Sequence, residues 1–309
     1  MKIYIGTSGW QYYHWKGKFY PENLASKDFL KFYSKYFNTV EINTSFYHLT
    51  KKMTFEKWKS IVADLRGLHA DSRRLHANLR RKNKNDFLFA VKLYRLFTHL
   101  RRLKLKKEDE KTLKTFLENV SALKENLGPI LIQLPPSFKD KEILKKFIKK
   151  FKNIYRRLMQ TERRPTQTIQ TLSTIRRKNS QNLYLSQRES ASSQRKSANP
   201  LIALEIRNKN LLTKDVYNFL RKEKIIFVIS DSPRWSTEFV KTTDVVYIRF
   251  HGKPILFASK YSKEELKEYA EKIKKLRPKV LFAYFNNDAE GYAIDNALEF
   301  TSIFDWIRK

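Results

Sequence analysis

The sequence contains no cysteine among its 309 residues, and this absence excludes both a disulfide framework and a metal site built from thiolates. It also lacks any apolar run that approaches the ~20 residues of a membrane-spanning helix. The first ten residues, MKIYIGTSGW, have the pattern of a β-strand and not that of a signal peptide. We therefore expect a soluble, cytoplasmic protein without a membrane partner. Its 41% of hydrophobic residues is enough for a sizeable core.

Acidic residues are scarce relative to basic ones. The chain has 31 Asp and Glu residues against 64 Lys and Arg residues, which gives a formal net charge of +33. The electrostatic field of a strongly positive protein attracts polyanions, so nucleic acid is a candidate partner. Many lysines, however, alternate with apolar residues in helical patterns such as residues 141–152, which is typical of a solvated helix surface. The charge alone leaves both interpretations open.

Short apolar runs with β character alternate along the chain with helical patterns. The predicted strands cover residues 3–6, 39–43, 87–91, 130–134, 201–206, 225–229, 245–250 and 280–285. The predicted helices cover residues 28–37, 55–62, 108–124, 141–151, 214–221, 263–276 and 289–306. Gly128-Pro129 is the expected stop signal after the third helix, and Pro233 weakens any helix after the sixth strand. Eight strands in such alternation predict a parallel sheet that closes into one (β/α)8 TIM barrel, a single domain over residues 1–309.

Two segments, at about residues 64–85 and 155–199, are rich in arginine where the rest of the chain uses lysine. We call them the Arg-rich segments. Each lies after a helix and before a strand, which predicts two insertions on the N-terminal (bottom) face of the barrel, opposite the face that carries barrel active sites. The first is basic and compatible with a helix, and the second, rich in Ser, Thr, Gln and Arg, is predicted to be disordered. They are either tolerated insertions or a basic docking arm for nucleic acid.

Polar residues occupy the C-terminal ends of most predicted strands. Three strands end in pairs of polar residues two positions apart: Glu41/Asn43, Glu205/Arg207 and Arg249/His251. Other strand ends carry Lys92, Gln133, Asp231 with its neighbour Ser230, and Asn286. Residues two apart share one face of a strand, and in a closed barrel the shared face of these pairs is the interior. Because buried charges are costly unless they are paired or functional, the pattern predicts a polar pocket at this end of the barrel.

Three carboxylates, Glu41, Glu205 and Asp231, are the candidate catalytic acids or bases. Like charges that share a pocket can raise one carboxyl pKa toward neutrality. Alternatively, each carboxylate forms a structural ion pair with a lysine or arginine of the ring. His251, together with the arginines, is a candidate grip for an anion. A divalent metal held by the three carboxylates and His251 is a further alternative, and no cofactor is predicted.

Aromatic residues crowd the loops that are expected at the same end of the barrel. They are Trp10, Tyr12, Tyr13, Trp15, Phe46, Tyr47 and Trp235. Such side chains can stack on a sugar or a nucleobase, or they can pack the loops against the barrel. We expect loop packing for Phe46 and ligand contact for Trp10.

Eight motifs occur in a characteristic order: IGTSGWQYYHWKGKFYP, FNTVEINTSFY, FAVK followed by FTH, LGPILIQLPP, ALEIR, FVISDSPRW, VVYIRFHG and YFNNDAEGYAIDNA. Together they resemble the YecE-like family, a domain of unknown function, and cover nearly the whole chain except the Arg-rich segments. The resemblance implies a (β/α)8 barrel but no particular reaction. It also implies a pocket at Glu41, Asn43, Lys92, His99, Gln133, Glu205, Arg207, Asp231, Arg249, His251 and Asn286. The chain lacks the histidine-rich metal ligands of the xylose-isomerase and endonuclease IV barrels, which this class resembles.

The sequence thus leaves three functional hypotheses. The first is a protein that binds or transforms a small anionic, sugar- or nucleoside-like substrate by carboxylate acid/base chemistry. The second is a nucleic-acid-binding or endonuclease-like protein that uses the basic surface and the aromatic rim. The third is a scaffold without catalysis, in which the polar ring forms only salt bridges.

Overall fold

Eight parallel strands alternate with helices in the computed structural model, which describes residues 1–68, 87–162 and 200–307. The strands are β1 Lys2–Thr7, β2 Thr39–Ile42, β3 Leu88–Lys92, β4 Leu127–Gln133, β5 Ile202–Glu205, β6 Ile226–Asp231, β7 Val245–Phe250 and β8 Val280–Phe285. The hydrogen-bonded order of the strands is β1-β8-β7-β6-β5-β4-β3-β2. The predicted single (β/α)8 TIM barrel is confirmed.

Helices connect most of these strands. They are α1 Phe29–Tyr33, α2 Thr44–Tyr47, α3 Lys52–Leu68, α4 Lys107–Ser121, α5 Lys141–Glu162, α6 Lys214–Lys222, α7 Lys263–Lys275 and α8 Tyr292–Ile307. Local sequence sets several of their starts. Ser262 and Glu265 form a reciprocal capping box that begins α7, and the Thr213 side chain accepts from the backbone of Val216 at the start of α6. Residues 232–244, between β6 and β7, form a loop instead of a helix, as Pro233 predicted.

The β1 and β2 edges meet at a seam that side chains bridge. Asn38 exchanges two hydrogen bonds with the backbone of β1, of 2.8 and 3.3 Å. The Tyr33 hydroxyl accepts from the backbone N–H of Thr7 at 2.9 Å and donates to the carbonyl of Thr39 at 3.1 Å. Gly6 permits this close approach, because a Cβ atom at that position would lie 2.1 Å from the Thr39 carbonyl oxygen. The seam therefore depends on a few specific residues.

Strand alternation divides the buried side chains into two layers. One fills the lower barrel interior with Tyr4, Ala90, Leu131, Ala203, Ile226, Val228, Tyr247, Phe282 and Tyr284. The other lies between the sheet and the helices, where strand residues such as Phe89 and Phe250 belong to the same cluster as Phe116 of α4 and Phe300 of α8. Since the interior layer is apolar, polar inward side chains are concentrated at the C-terminal ends of the strands.

One prediction from the sequence is wrong, and another concerns residues that the structure does not describe. Gly128-Pro129 does not end a helix; it lies inside β4, where a Cβ atom at Gly128 would come within 3.1 Å of the Phe89 carbonyl oxygen, so glycine lets β3 and β4 approach. The first residues of both Arg-rich segments continue α3 and α5, to Leu68 and Glu162. The remaining residues of these segments, and hence their predicted order and placement, lie outside the described residues.

No helix within the described ranges is long and apolar enough to cross a membrane. The location in the cytoplasm stays a prediction.

Candidate functional site

Arg249 is the hub of a buried charge network at the C-terminal end of the barrel. It is 1% exposed, and its Nε and Nη2 donate to the two carboxylate oxygens of Glu41 at 3.0 and 2.8 Å. This bidentate pair is the strong geometry for a guanidinium and a carboxylate. Glu41 also accepts from the Tyr247 hydroxyl at 2.6 Å and from Ser8 Oγ at 2.9 Å. Four donors therefore hold the carboxylate of Glu41 in one orientation.

The second carboxylate, Glu205, lies on the other side of the same guanidinium. Arg249 Nη1 donates to Glu205 Oε2 at 2.5 Å, and Arg207 Nε donates to Glu205 Oε1 at 2.9 Å. Arg207 Nη2 donates in turn to Gln133 Oε1 at 2.8 Å. Residues that come from β2, β4, the end of β5 and β7 thus form one connected network.

The two glutamates are ionised acceptors and do not have raised pKa values. Burial alone would raise the pKa of Glu41, but the charge of Arg249 and the hydrogen bond from Tyr247 outweigh it, and the net shift is downward. Burial is likewise the largest effect on Glu205, yet Arg249 and Arg207 hold its pKa well below the usual range. Of the two alternatives from sequence, the structure shows ion pairs with the arginines for both glutamates.

Lys92 is a cation beside this network that takes no part in its ion pairs. It ends β3, shares the inward face with Ala90, and is 9% exposed. Its ammonium lies 4.0 Å from the centre of the Phe46 ring, a cation–π contact, and among the described residues it has no ion-pair partner. Burial and the charge of Arg249 lower the pKa of Lys92 to about 7, against an opposing effect of the glutamates. Charged and neutral forms of this amine therefore coexist near neutral pH.

His251 is a neutral imidazole within the network. Its side chain is fully buried, and burial together with Arg249 lowers its pKa to about 4. The amide of Asn286 lies 3.1 Å from Nδ1 and Glu205 Oε1 lies 3.5 Å from Nε2. We assign the tautomer in which Nδ1 accepts from Asn286 and the Nε2–H faces Glu205. In this form His251 is a positioning group and not an added positive charge.

Three buried polar atoms beside the network have no hydrogen-bond partner within the described part of the chain: Asn43 Oδ1, Ser230 Oγ and Trp235 Nε1. Asn43 directly follows β2, and Ser230 pairs in register with Arg249. Trp235 stacks under the Arg207 guanidinium at 4.0 Å and contacts the ring of His251 at 5.4 Å. Since buried polar groups are rarely left unpaired, these atoms indicate where a polar ligand or water would bind.

The structure does not bring Trp10 and Asp231 into this network. Trp10 packs against Trp58 and against Phe89, whose ring points out of the barrel, so it belongs to the layer between sheet and helices. Asp231 accepts from the Tyr261 hydroxyl at 2.6 Å and forms an ion pair with Lys253. The reason is alternation: Ser230 is the inward residue at the end of β6, and Asp231 points outward.

His99 and the aromatic loops are arranged around the pocket in different ways. His99 is half-buried in a π-helical turn, Leu96–Leu100, and its ring contacts Phe46. Burial and the charge of Lys92 lower the pKa of His99 to about 4. Trp15 is buried and donates to the Asp288 carboxylate, whereas Tyr13 and Tyr47 are exposed. The predicted aromatic rim is therefore partly packing and partly open surface.

Two contributors were missed from sequence, Tyr247 and Ser8. Tyr247 lies two positions before Arg249 on the same strand face, so the period-two pattern could have identified it. Ser8 directly follows β1 and could have been included as a strand-end residue.

Among the described residues, no group of three or more His, Asp or Glu side chains is placed to hold a metal ion. Glu41 and Glu205 hold a guanidinium between them, and Asp231 holds an ammonium.

Comparisons with known proteins agree with this fold. A family model described as "Protein of unknown function DUF72" matches residues 4–65 and 70–308. The UPF0759 protein YunF of Bacillus subtilis (strain 168) is 22% identical over 98% of this chain and 95% of that protein. A solved DUF72 family protein from Thermotoga maritima MSB8 has a TM-score of 0.68 and 26% identity, over 99% of this chain and 100% of that one. A solved DUF72 family protein from Enterococcus faecalis V583 has a TM-score of 0.64 and 18% identity over 98% of each chain, which shows likeness of fold.

Proposed function

This chain belongs to the DUF72 family, and we propose that the C-terminal end of its barrel binds or transforms a small anionic molecule of the sugar or nucleoside type. The observation that carries the proposal is the position of Lys92. It is a buried amine without a carboxylate partner among the described residues, because Arg249 and Arg207 already occupy the oxygens of both glutamates. An anionic group of a ligand would supply the missing counter-charge.

Two further features support a ligand that combines an anion with a ring or hydroxyl groups. The Arg207 side chain is 14% exposed, so part of it is within reach of solvent and of an incoming anion. The unpaired Trp235 Nε1, Ser230 Oγ and Asn43 Oδ1 offer two donors and two acceptors beside it. Hydroxyl groups of a sugar can satisfy both kinds of partner.

Within this proposal the glutamates have a positioning role and Lys92 has the proton-transfer role. A carboxylate with a strongly lowered pKa is a weak base, whereas efficient acid/base groups have pKa values near the working pH. Glu41 and Glu205 thus fix Arg249 and Arg207, and the group with a matched pKa is Lys92. The proposal thus assigns the acid/base role to Lys92, where the sequence analysis predicted it for the carboxylates.

A thermal-shift series tests the proposal. Glucose 6-phosphate, ribose 5-phosphate, uridine monophosphate and glucuronate are compared with uncharged glucose and uridine. A ligand at 100 times its dissociation constant stabilises the native state by about 2.7 kcal/mol. We therefore expect at least one anionic compound to raise the Tm, and the uncharged compounds to leave the Tm unchanged.

Variants then locate the binding. Lys92→Met and Arg207→Met should abolish the shift, while Lys149→Met, a change at an exposed residue of α5, should keep it. An equal shift in wild type and in Lys92→Met would remove Lys92 from the site, and the absence of any shift in the series would refute the proposal. The nucleic-acid hypothesis stays a prediction, since most of each Arg-rich segment lies outside the described residues.

A further inference from the structure

The arrangement around the Lys92 amine specifies more than anion binding. Its Nζ lies 4.0 Å from the centre of the Phe46 ring, at the end of a barrel strand, and the residue is only 9% exposed. A lysine nucleophile needs a neutral amine, restricted motion and a dry surrounding. Burial and the charges of Arg249 and Arg207 disfavour the ammonium form of Lys92. No carboxylate among the described residues forms an ion pair with it, and the contact with the Phe46 ring restricts the motion of the amine.

We propose that Lys92 forms a covalent imine with a small carbonyl compound that carries a carboxylate or phosphate group. This inference rests on the proposed function, because the anionic group must first bind in the pocket. In the covalent step Arg207, which is stacked on Trp235 and partly exposed, would hold the anion. The charged form of Lys92 would attract that anion into the site, and the neutral form, which coexists with it near neutral pH, would react. The carbonyl carbon would then face the amine of Lys92, which lies close enough to Arg207 for the charge of Arg207 to lower its pKa.

The step balances without an oxidant or a reductant. The lone pair of the neutral Lys92 amine forms a bond to the carbonyl carbon, and the carbonyl π electrons move to its oxygen. The resulting carbinolamine loses that oxygen as water, which leaves with the two protons of the amine, and a carbon–nitrogen double bond remains. Near neutral pH the neutral amine is populated, since burial and Arg249 lower the pKa of Lys92 to about 7. The ionised Glu41 and Glu205, each held by Arg249, remain unchanged in the step.

Borohydride trapping tests the inference. The full chain is incubated with pyruvate or with dihydroxyacetone phosphate, reduced with sodium borohydride, and measured by intact mass and by peptide mapping. We expect one reduced adduct per chain, located on Lys92, with the carboxylate probe or with the phosphate probe, and the two arms identify which anion the pocket takes. Lactate, which has the carboxylate but no ketone, should give no adduct.

The variants keep the test decisive. Lys92→Met should lose the adduct while Lys149→Met retains it, and the melting curve of each variant verifies that it is folded. Adducts spread over surface lysines and unchanged in Lys92→Met would overturn the inference. Anion-dependent thermal shifts with no trapped adduct from either carbonyl probe would overturn it too, yet leave the proposed function standing. If neither shifts nor adducts occur, both fail.

Discussion

Replacing Lys92 by methionine should change how the stability of the protein depends on pH. Burial and the charge of Arg249 lower the pKa of Lys92 from 10.5 to about 7 in the folded state, while the unfolded chain keeps the ordinary value. Between these two values the unfolded state binds a proton that the folded state does not, so wild-type stability rises with pH. The destabilisation caused by burying Lys92 is absent above pH 10.5 and grows as pH falls toward 7, below which it no longer changes.

The size of the effect follows from the two pKa values. One pKa unit corresponds to about 1.4 kcal/mol, so the burial of Lys92 costs the folded state about 4 kcal/mol at pH 7 and about 2 kcal/mol at pH 9. Methionine has a similar shape and no charge. The difference in unfolding free energy between Lys92→Met and wild type should therefore shrink by about 2 kcal/mol from pH 7 to pH 9.

Urea denaturation of both proteins at pH 7, 8 and 9 measures this difference. Packing changes caused by methionine do not depend on pH, so they cancel when values at two pH values are compared. Lys149→Met serves as the matched control, since it removes an exposed ammonium from α5 and should leave the pH dependence as in wild type. Parallel stability profiles for Lys92→Met and wild type would refute the reasoning that Lys92 is desolvated and unpaired.

Three further perturbations test other parts of the structure. Arg249→Met leaves Glu41 and Glu205 buried without their main counter-charge and should cost roughly 3–5 kcal/mol in urea denaturation; a loss below ~1 kcal/mol would contradict the charge network. Gly6→Ala places a methyl group against the Thr39 carbonyl and should destabilise by about 1–3 kcal/mol, whereas an unchanged Tm would show that the seam can relax. If the basic Arg-rich segments bind nucleic acid, filter binding at ~50 mM salt should detect RNA or DNA affinity that weakens as salt rises. Deleting residues 69–86 and 163–199 should then abolish it, and retained affinity would assign the binding to the barrel.

Much of the barrel could be predicted because each strand is an apolar run of ordinary length between turn signals. The inward ends of β2, β5 and β7 were also predictable, since Glu41, Glu205 and Arg249 each have a polar partner two positions away. In β6 the run FVISD has no alternation, so the sequence could not decide between Ser230 and Asp231 as the inward residue.

Pairing across the barrel could not be predicted in the same way. The sequence shows that charges meet at one end but not which charges are paired, because this depends on the relative stagger of strands far apart in the chain. It could not show that Arg249 reaches both glutamates and that Lys92 consequently lacks a partner. Trp10 illustrates a second limit, because an aromatic residue in a loop has the same local pattern whether it faces a ligand or packs against a helix.

The seam between β1 and β2 determines which backbone hydrogen bonds break first when the barrel opens. Along β1, the amides of Ile5 and Thr7 donate to the side chains of Asn38 and Tyr33 and not to a neighbouring strand. If either side chain rotates, the corresponding amide loses its hydrogen bond, while the backbone hydrogen bonds between all the paired strands stay intact. In hydrogen–deuterium exchange these two amides should therefore exchange before those of the central strands. Glu41 lies on β2 and its partner Ser8 follows β1, so separation of these two strands would weaken the contacts of Glu41. The hydrogen bonds of Glu205 to Arg207 and Arg249 would remain.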